Sequence, residues 1–387
     1  MKWRAAAGVV LAALGVAAIA RGEEARPGRT LVLHHGRDPA IASATPGGES
    51  RDGRLAFLLP RTAPTARVVV AMAGQRPRGP AVDAEGHIFV GTTTGVAILE
   101  ADGSAMREVV VGTLDCGPVI VPGGDAVALS RDGMMARIAA DGSVRARAST
   151  TLGVRFAPLV RDDGSLAVVA ASRTLALVGS DLDVRATCEL PDGLALSPTR
   201  TAHGRWAIAA GTELVIVEPS TLEIERVIAL PGRAATPAAS APDGTLWIAT
   251  VEGDLVRVRG ETRIADTIAL GARLPEATTS DRAMLGIAPD GDVLAVVPAR
   301  GLLRIAPDGS ERWLWPSETP LVGALSVDAD GRVAVLDRIG HLSVIDASGV
   351  LEWTLALEAL PLGPPIVTGQ GRVVVATERG VIVLGPG

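Results

Sequence analysis

Tyrosine and asparagine are absent from this 387-residue chain, lysine occurs only as Lys2, cysteine only as Cys116 and Cys188, and the aromatic set is six tryptophans and three phenylalanines. Each shortage excludes something. Two cysteines cannot staple a chain of this length, so a disulfide scaffold is ruled out. A single lysine in the first residues rules out a phosphate loop ending in Gly-Lys. Removing the first twenty residues, with Lys2 and Arg4, takes the formal net charge from −6 to about −8, the wrong sign for a phosphate-neutralising nucleic-acid binder. Beyond the amino terminus no stretch reaches eighteen apolar residues, so no membrane span is expected there. What the chain does contain is 48% hydrophobic residues, which excludes disorder, and 45 glycines and 26 prolines, which point to many turns rather than long helices.

Met1 to Arg4 is basic, Ala5 to Ala20 is an uncharged Ala/Val/Leu run, and Ala18-Ile19-Ala20 supplies a small-x-small cleavage pattern ahead of Arg21. This reads as a secretory signal peptide over residues 1–20. The alternative is a retained anchor, but a sixteen-residue helix covers only about 24 Å of a hydrocarbon core of about 30 Å. No cysteine follows the run, so a lipid anchor has no attachment point. The mature chain is therefore expected to be exported, periplasmic or extracellular, and monomeric. Residues 21–50, rich in Pro and Gly, form a partly ordered lead-in, and residues 51–387 a single domain.

The strongest signal is periodic. Turn glycines that precede short apolar strands fall at Gly86, Gly124, Gly164, Gly204, Gly244, Gly291, Gly331 and Gly371, with spacings of 38, 40, 40, 40, 47, 40 and 40 residues. A period near forty with no helical pattern inside it predicts a radial array of four-stranded antiparallel sheets, an all-β propeller. Around Gly331 the grammar is explicit: Val322–Val327, Arg332–Leu336, His341–Ile345 and Leu351–Leu355 are four apolar runs separated by three glycine turns. Alternation is expected in the last two strands, while Ala and Val fill the second. Asp-Gly pairs are expected to supply the positive φ of the hairpins, since asparagine is missing. Prolines at 80, 118, 158, 198, 237 and 365 open first strands, where no ladder bond is lost. In this register Cys116 sits at an inner edge and Cys188 on an outer strand, which favours two free thiols over a bridge.

The chain ends after Arg372–Ala376 and Val381–Leu384, before a fourth strand. Arg67–Ala71 has the character to supply it, so the two ends are expected to meet in one blade and close the ring. Eight repeat glycines give eight blades. Arg54–Leu59 looks like a competing third strand, which could displace Val381–Leu384, add an outer strand or lie across an end of the ring, and which keeps seven blades as the alternative count.

Gly-Ser-Glu-Arg-Trp at Gly309–Trp313 and Gly-Val-Leu-Glu-Trp at Gly349–Trp353 each end on a tryptophan twenty-two residues after a turn glycine. Pro118-Val-Ile-Val and Pro365-Ile-Val open strands ahead of glycine turns. Over roughly residues 67–387 these patterns resemble the pyrroloquinoline-quinone-type propeller repeat, and the outline is similar to the outer-membrane assembly propeller, usually a lipoprotein. The resemblance implies tryptophans docked between blades. Glu108, Ala146, Ala186, Arg226 and Asp266 occupy the other tryptophan positions, which implies smaller, Ala-filled packing there. It does not carry the cofactor: the dehydrogenases of this type use adjacent cysteines and Asn among their calcium ligands, and this chain has neither. No cofactor is expected.

Candidate chemistry is sparse. His34-His35 lies in the lead-in without nearby cysteine, and His87, His203 and His341 fall beside turn glycines in three separate repeats; no metal site is expected from them. Asp328-Ala-Asp330-Gly331 and Asp162-Asp163-Gly164 lack the ligand spacing and distal Glu of an EF-hand and read as hairpin turns. No nucleophile elbow or zinc-protease motif is present, so no catalytic residue is assigned. The 47-residue spacing places about seven extra residues near Gly271–Arg282, and insertions in repeats map to surface loops that often bind. Arg273, Glu276, Asp281 and Arg282 are the candidate partner-binding residues. The leading expectation is a non-catalytic exported scaffold for a protein or cell-envelope partner. The alternative is a propeller hydrolase or lyase, with His87, His203 and Asp residues gathered at the mouth of the central channel.

Overall fold

In the computed structural model, residue 55 and residues 57–385, apart from 73, 192 and 277–283, are described. Among them there is no helix, and hence none long and apolar enough to cross a membrane. The strands form eight four-stranded antiparallel sheets. Seven are consecutive in sequence: blade 1 begins at Arg78, and blade 7 ends at Ala356. Blade 8 is composite: Ile366–Val367, Val373–Thr377 and Gly380–Gly385 are completed on the outside by Ala66–Ala71. The closing register pairs Arg67 with Leu384 and Val70 with Val381, so the eight-blade count and the meeting of the two chain ends are as expected. First strands of neighbouring blades touch, those of blades 1 and 2 and of blades 4 to 7 in turn, and the first strand of blade 1 meets the second strand of blade 8.

All eight repeat glycines adopt positive φ, from 74° at Gly371 to 97° at Gly86. Each donates its N–H to the carbonyl three residues back, as Gly331 does to Asp328 at 3.0 Å. The left-handed position of the first hairpin is thus always glycine, where a side chain would be strained. The aspartates do something other than expected. Among the described residues no aspartate has positive φ; the aspartate carboxylates instead accept backbone N–H groups, as Asp102 does from Ser104 at 2.8 Å and Asp346 from Ser348 at 2.8 Å. A second cap spans four residues: Ser130 Oγ accepts from Met134 N, Thr201 Oγ1 from Arg205 N, Asp328 Oδ1 from Arg332 N and Asp337 Oδ1 from His341 N. A short acceptor side chain relieves turn amides that would otherwise go unpaired.

These caps hold several carboxyls below their usual range. Hydrogen bonds from the following serines do so for Asp102, Asp141 and Asp308. At Asp337 and Asp346 burial pushes the other way, but the combined hydrogen bonds outweigh it. Groups depressed in the folded state contribute stability that is present above the unfolded carboxyl range, about pH 4, and is lost as pH falls through the lower folded values. The expected result is a midpoint of thermal unfolding that is flat near neutrality and drops below about pH 4, with the drop reduced in an Asp337→Ala/Asp346→Ala variant. A scan of unfolding against pH checks it.

Burial grades outward. The second strands are sealed on both faces, Trp206–Ala210 and Val373–Thr377 being buried throughout, whereas the fourth strand Arg263–Ala269 alternates strictly between exposed and half-buried. The third strand does not alternate as expected: Gly301–Ile305 is buried throughout and His341–Ile345 nearly so, because neighbouring blades cover both its faces and only the rim reaches water. Each interface holds its own apolar cluster, such as the one joining blades 5 and 6 through Trp247, Leu255, Leu285 and Leu303. Cys116 is buried and Cys188 half-buried, neither in a disulfide, with burial pushing the Cys188 thiol up.

Blades are also latched by polar contacts to the outer hairpin of the next blade. Trp313 Nε1 donates to Ala347 O at 3.1 Å, and Arg304 Nη1 donates to the same carbonyl at 2.7 Å. Where the tryptophan is missing, an ion pair serves: in blade 5 Arg257 pairs with Asp266 and donates to Pro307 O. The expected Ala-filled packing holds at Ala146 and Ala186, half-buried against their clusters. It is corrected at Asp266, where the Arg257 guanidinium fills the space.

Blade 8 has no third-to-fourth hairpin of its own, because its third and fourth strands come from opposite chain ends. The segment ahead of Ala66 takes that place. Leu55, Phe57 and Leu59 are buried between blades 7 and 8. Trp353 Nε1 donates to Pro60 O at 3.0 Å, Arg332 donates to Leu59 O and Pro60 O, and Leu59 N reaches Asp328 Oδ2 at 3.0 Å. Of the three roles open to Arg54–Leu59, the described part forms a strap that replaces the missing hairpin. It is neither a third strand nor an outer one.

Candidate functional site

An antiparallel four-stranded meander sends its first and third hairpins to one end of the ring, and its second hairpin and the blade-to-blade connection to the other. The first is the turn end here, the second the crossover end. This sorting decides which side chains can meet.

The turn end carries most of the capped aspartates, and its arginines are largely consumed: Arg137 pairs with Asp125 at 2.7 Å, Arg304 with Asp290 at 2.5 Å and Asp292 at 2.8 Å, and Arg332 with Asp328 at 2.7 Å. His87 Nδ1 and buried Asp83 Oδ2 share a hydrogen bond at 2.7 Å, with Glu85 beside them and Glu100 3.7 Å from His87 Nε2. Asp83, Glu85 and His87 are the one group of three ligand-type side chains close enough to hold a metal ion among the described residues. His203 lies on the same end in blade 4, its Nε2 3.3 Å from where a Cβ on Gly244 of the next blade would stand. Two blades separate it from His87, so the structure does not gather them. His341 begins a third strand and so faces the crossover end, 3.0 Å from Asp337. The three imidazoles form no common site. His34 and His35 lie outside the described residues.

The crossover end differs. Exposed Arg76, Arg155, Arg273, Arg338 and Arg379 lie there, and none of their side chains has a partner among the described residues. Ile339 (59% exposed), Leu194 (41%) and Leu360 (37%) accompany them. Exposed Asp132, Glu318 and Glu378 make the charge mixed.

Of the candidate binding residues, Arg273 and Glu276 fall in the connection from blade 5 to blade 6 at this end. Glu276 is tied to Arg233 at 2.6 Å, and Leu274 between them is buried, its N–H on Val251 O at 3.0 Å. The described part of the insertion is therefore anchored at its middle, and Arg273 has no side-chain partner among the described residues. Asp281 and Arg282 lie outside the described residues. Sequence reading missed Arg155, Leu194 and Ile339. Their signal was positional: Arg155 stands three residues before strand-opening Pro158, and Ile339 immediately before Gly340 of a second hairpin, places that the repeat assigns to one end of the ring.

Two clefts open between blades 3 and 4. The one at the turn end, about 200 Å³, is lined by Arg161, Asp162, Asp163, Arg200 and Trp206 among others. Its charges compensate, with Arg161–Asp163 at 3.8 Å and Arg200–Asp162 at 3.5 Å, and Arg161 lies 5.9 Å from the Trp206 ring centre. The one at the crossover end is about 40 Å³.

The fold defines an eight-bladed β-propeller whose crossover end carries exposed arginines and aliphatic side chains. No family model matches the chain, and no curated protein does. Among solved structures it is similar to BamB from Moraxella catarrhalis, at 14% identity and a TM-score of 0.60 over 83% of this chain and 98% of that one. It is also similar to a streptogramin B lyase, at 12% identity and 0.54 over 83% and 97%. A catalytically inactive histidine-to-alanine variant of virginiamycin B lyase from Staphylococcus aureus with quinupristin gives 11% identity and 0.54 over 83% and 99%. At such identities the likeness is one of fold.

Proposed function

We propose that this chain is an exported, non-catalytic propeller that acts as a protein-interaction scaffold in the cell envelope or outside the cell, through the crossover end of its ring. The observation that carries the reading is the make-up of the crossover end. There five exposed arginines have no partner among the described residues and share the surface with exposed Leu194, Ile339 and Leu360, whereas at the turn end most arginines pair with neighbouring carboxylates and carbonyls, Arg259 and Arg263 excepted. Arginine beside apolar side chains is the composition that protein interfaces favour. The basic-then-apolar residues 1–20 and the likeness in fold to BamB support an envelope location.

A photo-crosslinking amino acid placed at Leu194 or Ile339 is expected to give discrete covalent adducts in the exporting cells, and one placed at Asp141 on the turn end to give none. Equal adducts from both ends, or none from the crossover end, would reject the reading.

The second reading, a hydrolase or lyase at a channel mouth, is favoured by the Asp83, Glu85 and His87 group, in which Asp83 orients the imbidazole ring from one side and Glu100 approaches the other. A divalent metal retained through dialysis by the native protein and lost in His87→Ala would favour it.

A further inference from the structure

The outer hairpins, which join third to fourth strands, lean on the preceding blade in two ways. In blades 1, 2, 6 and 7 the turn carries a glycine packed against that blade, an added Cβ lying 3.1 Å from Val68, 3.7 Å from Arg107, 3.2 Å from Ile268 and 3.0 Å from Trp313. In blades 3 and 4 it carries a leucine at positive φ, Leu182 at 70° and Leu222 at 57°, whose side chain joins the apolar cluster shared with the preceding blade.

Blade 5 departs from both. Gly260 and Glu261 take φ 58° and 55°, the left-handed pair of a two-residue turn, which disfavours a residue with a side chain at its second position. That geometry sends the side chain between the blades, as it does for Leu182 and Leu222, so Glu261 is buried while Arg259, Gly260, Thr262 and Arg263 are exposed. The Glu261 side chain is 6% exposed, with Oε2 3.8 Å from Arg205 Nη1, and its Oε1 has no hydrogen-bond partner among the described residues. Arg205 is itself bound to Glu225 through Nε and Nη2, so one guanidinium is shared by two carboxylates. Among the described residues, 259–262 make no hydrogen bond to blade 4, and the apolar cluster joining the two blades stops at Val258 and Ile264.

A buried carboxylate with an unmet acceptor is costly at a place where leucine would stabilise. The hairpin is therefore held shut against a penalty that opening removes, because outside the gap the carboxylate is hydrated and the backbone leaves its left-handed φ. The neighbouring hairpins carry no such penalty.

We infer that the outer hairpin of blade 5, residues 259–263, is a releasable latch: it swings away from blade 4, carries Glu261 into water and uncovers the Arg205–Glu225 pair, while the ring stays closed. Local opening of this kind is drawn from the segments of lowest local stability. The latch lies at the turn end and is independent of the scaffold reading, which concerns the other end of the ring.

Native-state amide exchange on the full chain tests it. Thr262 N donates to Arg259 O at 3.2 Å, whereas Leu182 N and Leu222 N donate to Gly179 O and Glu218 O at 2.9 Å. The protection factor of Thr262 is expected to be about tenfold or more below those of Leu182 and Leu222, and to stay unchanged in urea too dilute to unfold the ring, the signature of a local opening. Glu261→Leu is expected to raise Thr262 protection by about tenfold or more, since Leu222 already holds nearly the same φ in blade 4, and to leave Leu182 and Leu222 as they were. Glu261→Gln, which keeps the shape and removes the charge, is expected to raise it less, and Arg205→Met to lower it. Thr262 protection equal to that of the two leucines, a dependence on urea as steep as that of global unfolding, or a Glu261→Leu chain that exchanges faster at Thr262 or fails to fold would each overturn the inference, the last two by making the carboxylate a structural requirement.

Discussion

Replacing Arg332 by alanine is expected to destabilise the ring by about 3–5 kcal/mol, the loss that follows when one member of a buried ion pair is removed. Arg332 and Asp328 side chains are 3% and 0% exposed. The guanidinium serves four acceptors at once, Asp328, Glu352, Leu59 O and Pro60 O, so its loss leaves a buried carboxylate without its counter-charge and unhooks the strap. Chemical denaturation of the variant against native protein measures the effect. A double variant, Asp328→Ala/Arg332→Met, is expected to lose less than Arg332→Ala, because no charge is then stranded. Burial already pushes the Asp328 carboxyl up against the opposing pull of Arg332. A carboxyl raised in the folded state is stabilised by protonation, so the Arg332→Ala variant is expected to regain part of its loss as pH falls through that raised value, opposite in sign to the capped aspartates. A loss no larger than that of Arg185→Ala, whose pair with Asp181 is half-exposed, would show that the strap does not hold the closure.

Gly380→Ala is expected to open the ring at its seam. Gly380 has φ 140°, and a Cβ there would lie 2.0 Å from Val70 O and 3.0 Å from Met72 N. Those are backbone atoms of the amino-terminal strand and its exit, which cannot move without giving up the pairing of Gly380 with Ala71. Strain at positive φ costs about 1–2 kcal/mol and overpacking about 1–3 kcal/mol, together about 2–5 kcal/mol. The seam is the one place where a sheet joins opposite ends of the chain, so the loss is expected to appear also as proteolytic cleavage near residues 60–77 before global unfolding. Gly74 is the control. Its φ is 73°, but no atom lies within 4 Å of its added Cβ, so Gly74→Ala is expected to cost only the conformational part, about 1 kcal/mol.

The functional surface was less legible than the ring. The insertion before Gly291 drew attention because it breaks the period, yet Leu274 is buried within it and Glu276 is bound to Arg233; length alone does not distinguish a loop packed down from one offered to a partner. Histidines stand beside turn glycines in three repeats, but successive hairpins alternate between the ends, which sends His341 away from His87 and His203. Arg155 carried no motif. It became visible only when its side chain proved to have no partner among the described residues while most arginines across the ring were paired.

By itself the sequence determined the repeat, the all-β architecture and the meeting of the chain ends, because those follow from local chemistry: glycine where φ must be positive, apolar runs of strand length, and an unfinished last repeat matched by a stray strand. Tertiary structure alone decided that residues 55–60 stand in for a missing hairpin, that an Arg257–Asp266 pair fills a tryptophan's place, and which arginines remain free. The strap meets partners about 270 residues away, as Leu59 does Asp328, and although Arg257 and Asp266 stand nine residues apart, the carbonyl that completes their latch, Pro307 O, lies fifty residues on in the next blade; such contacts depend on what a neighbouring blade presents across the gap, which a local window of sequence does not contain.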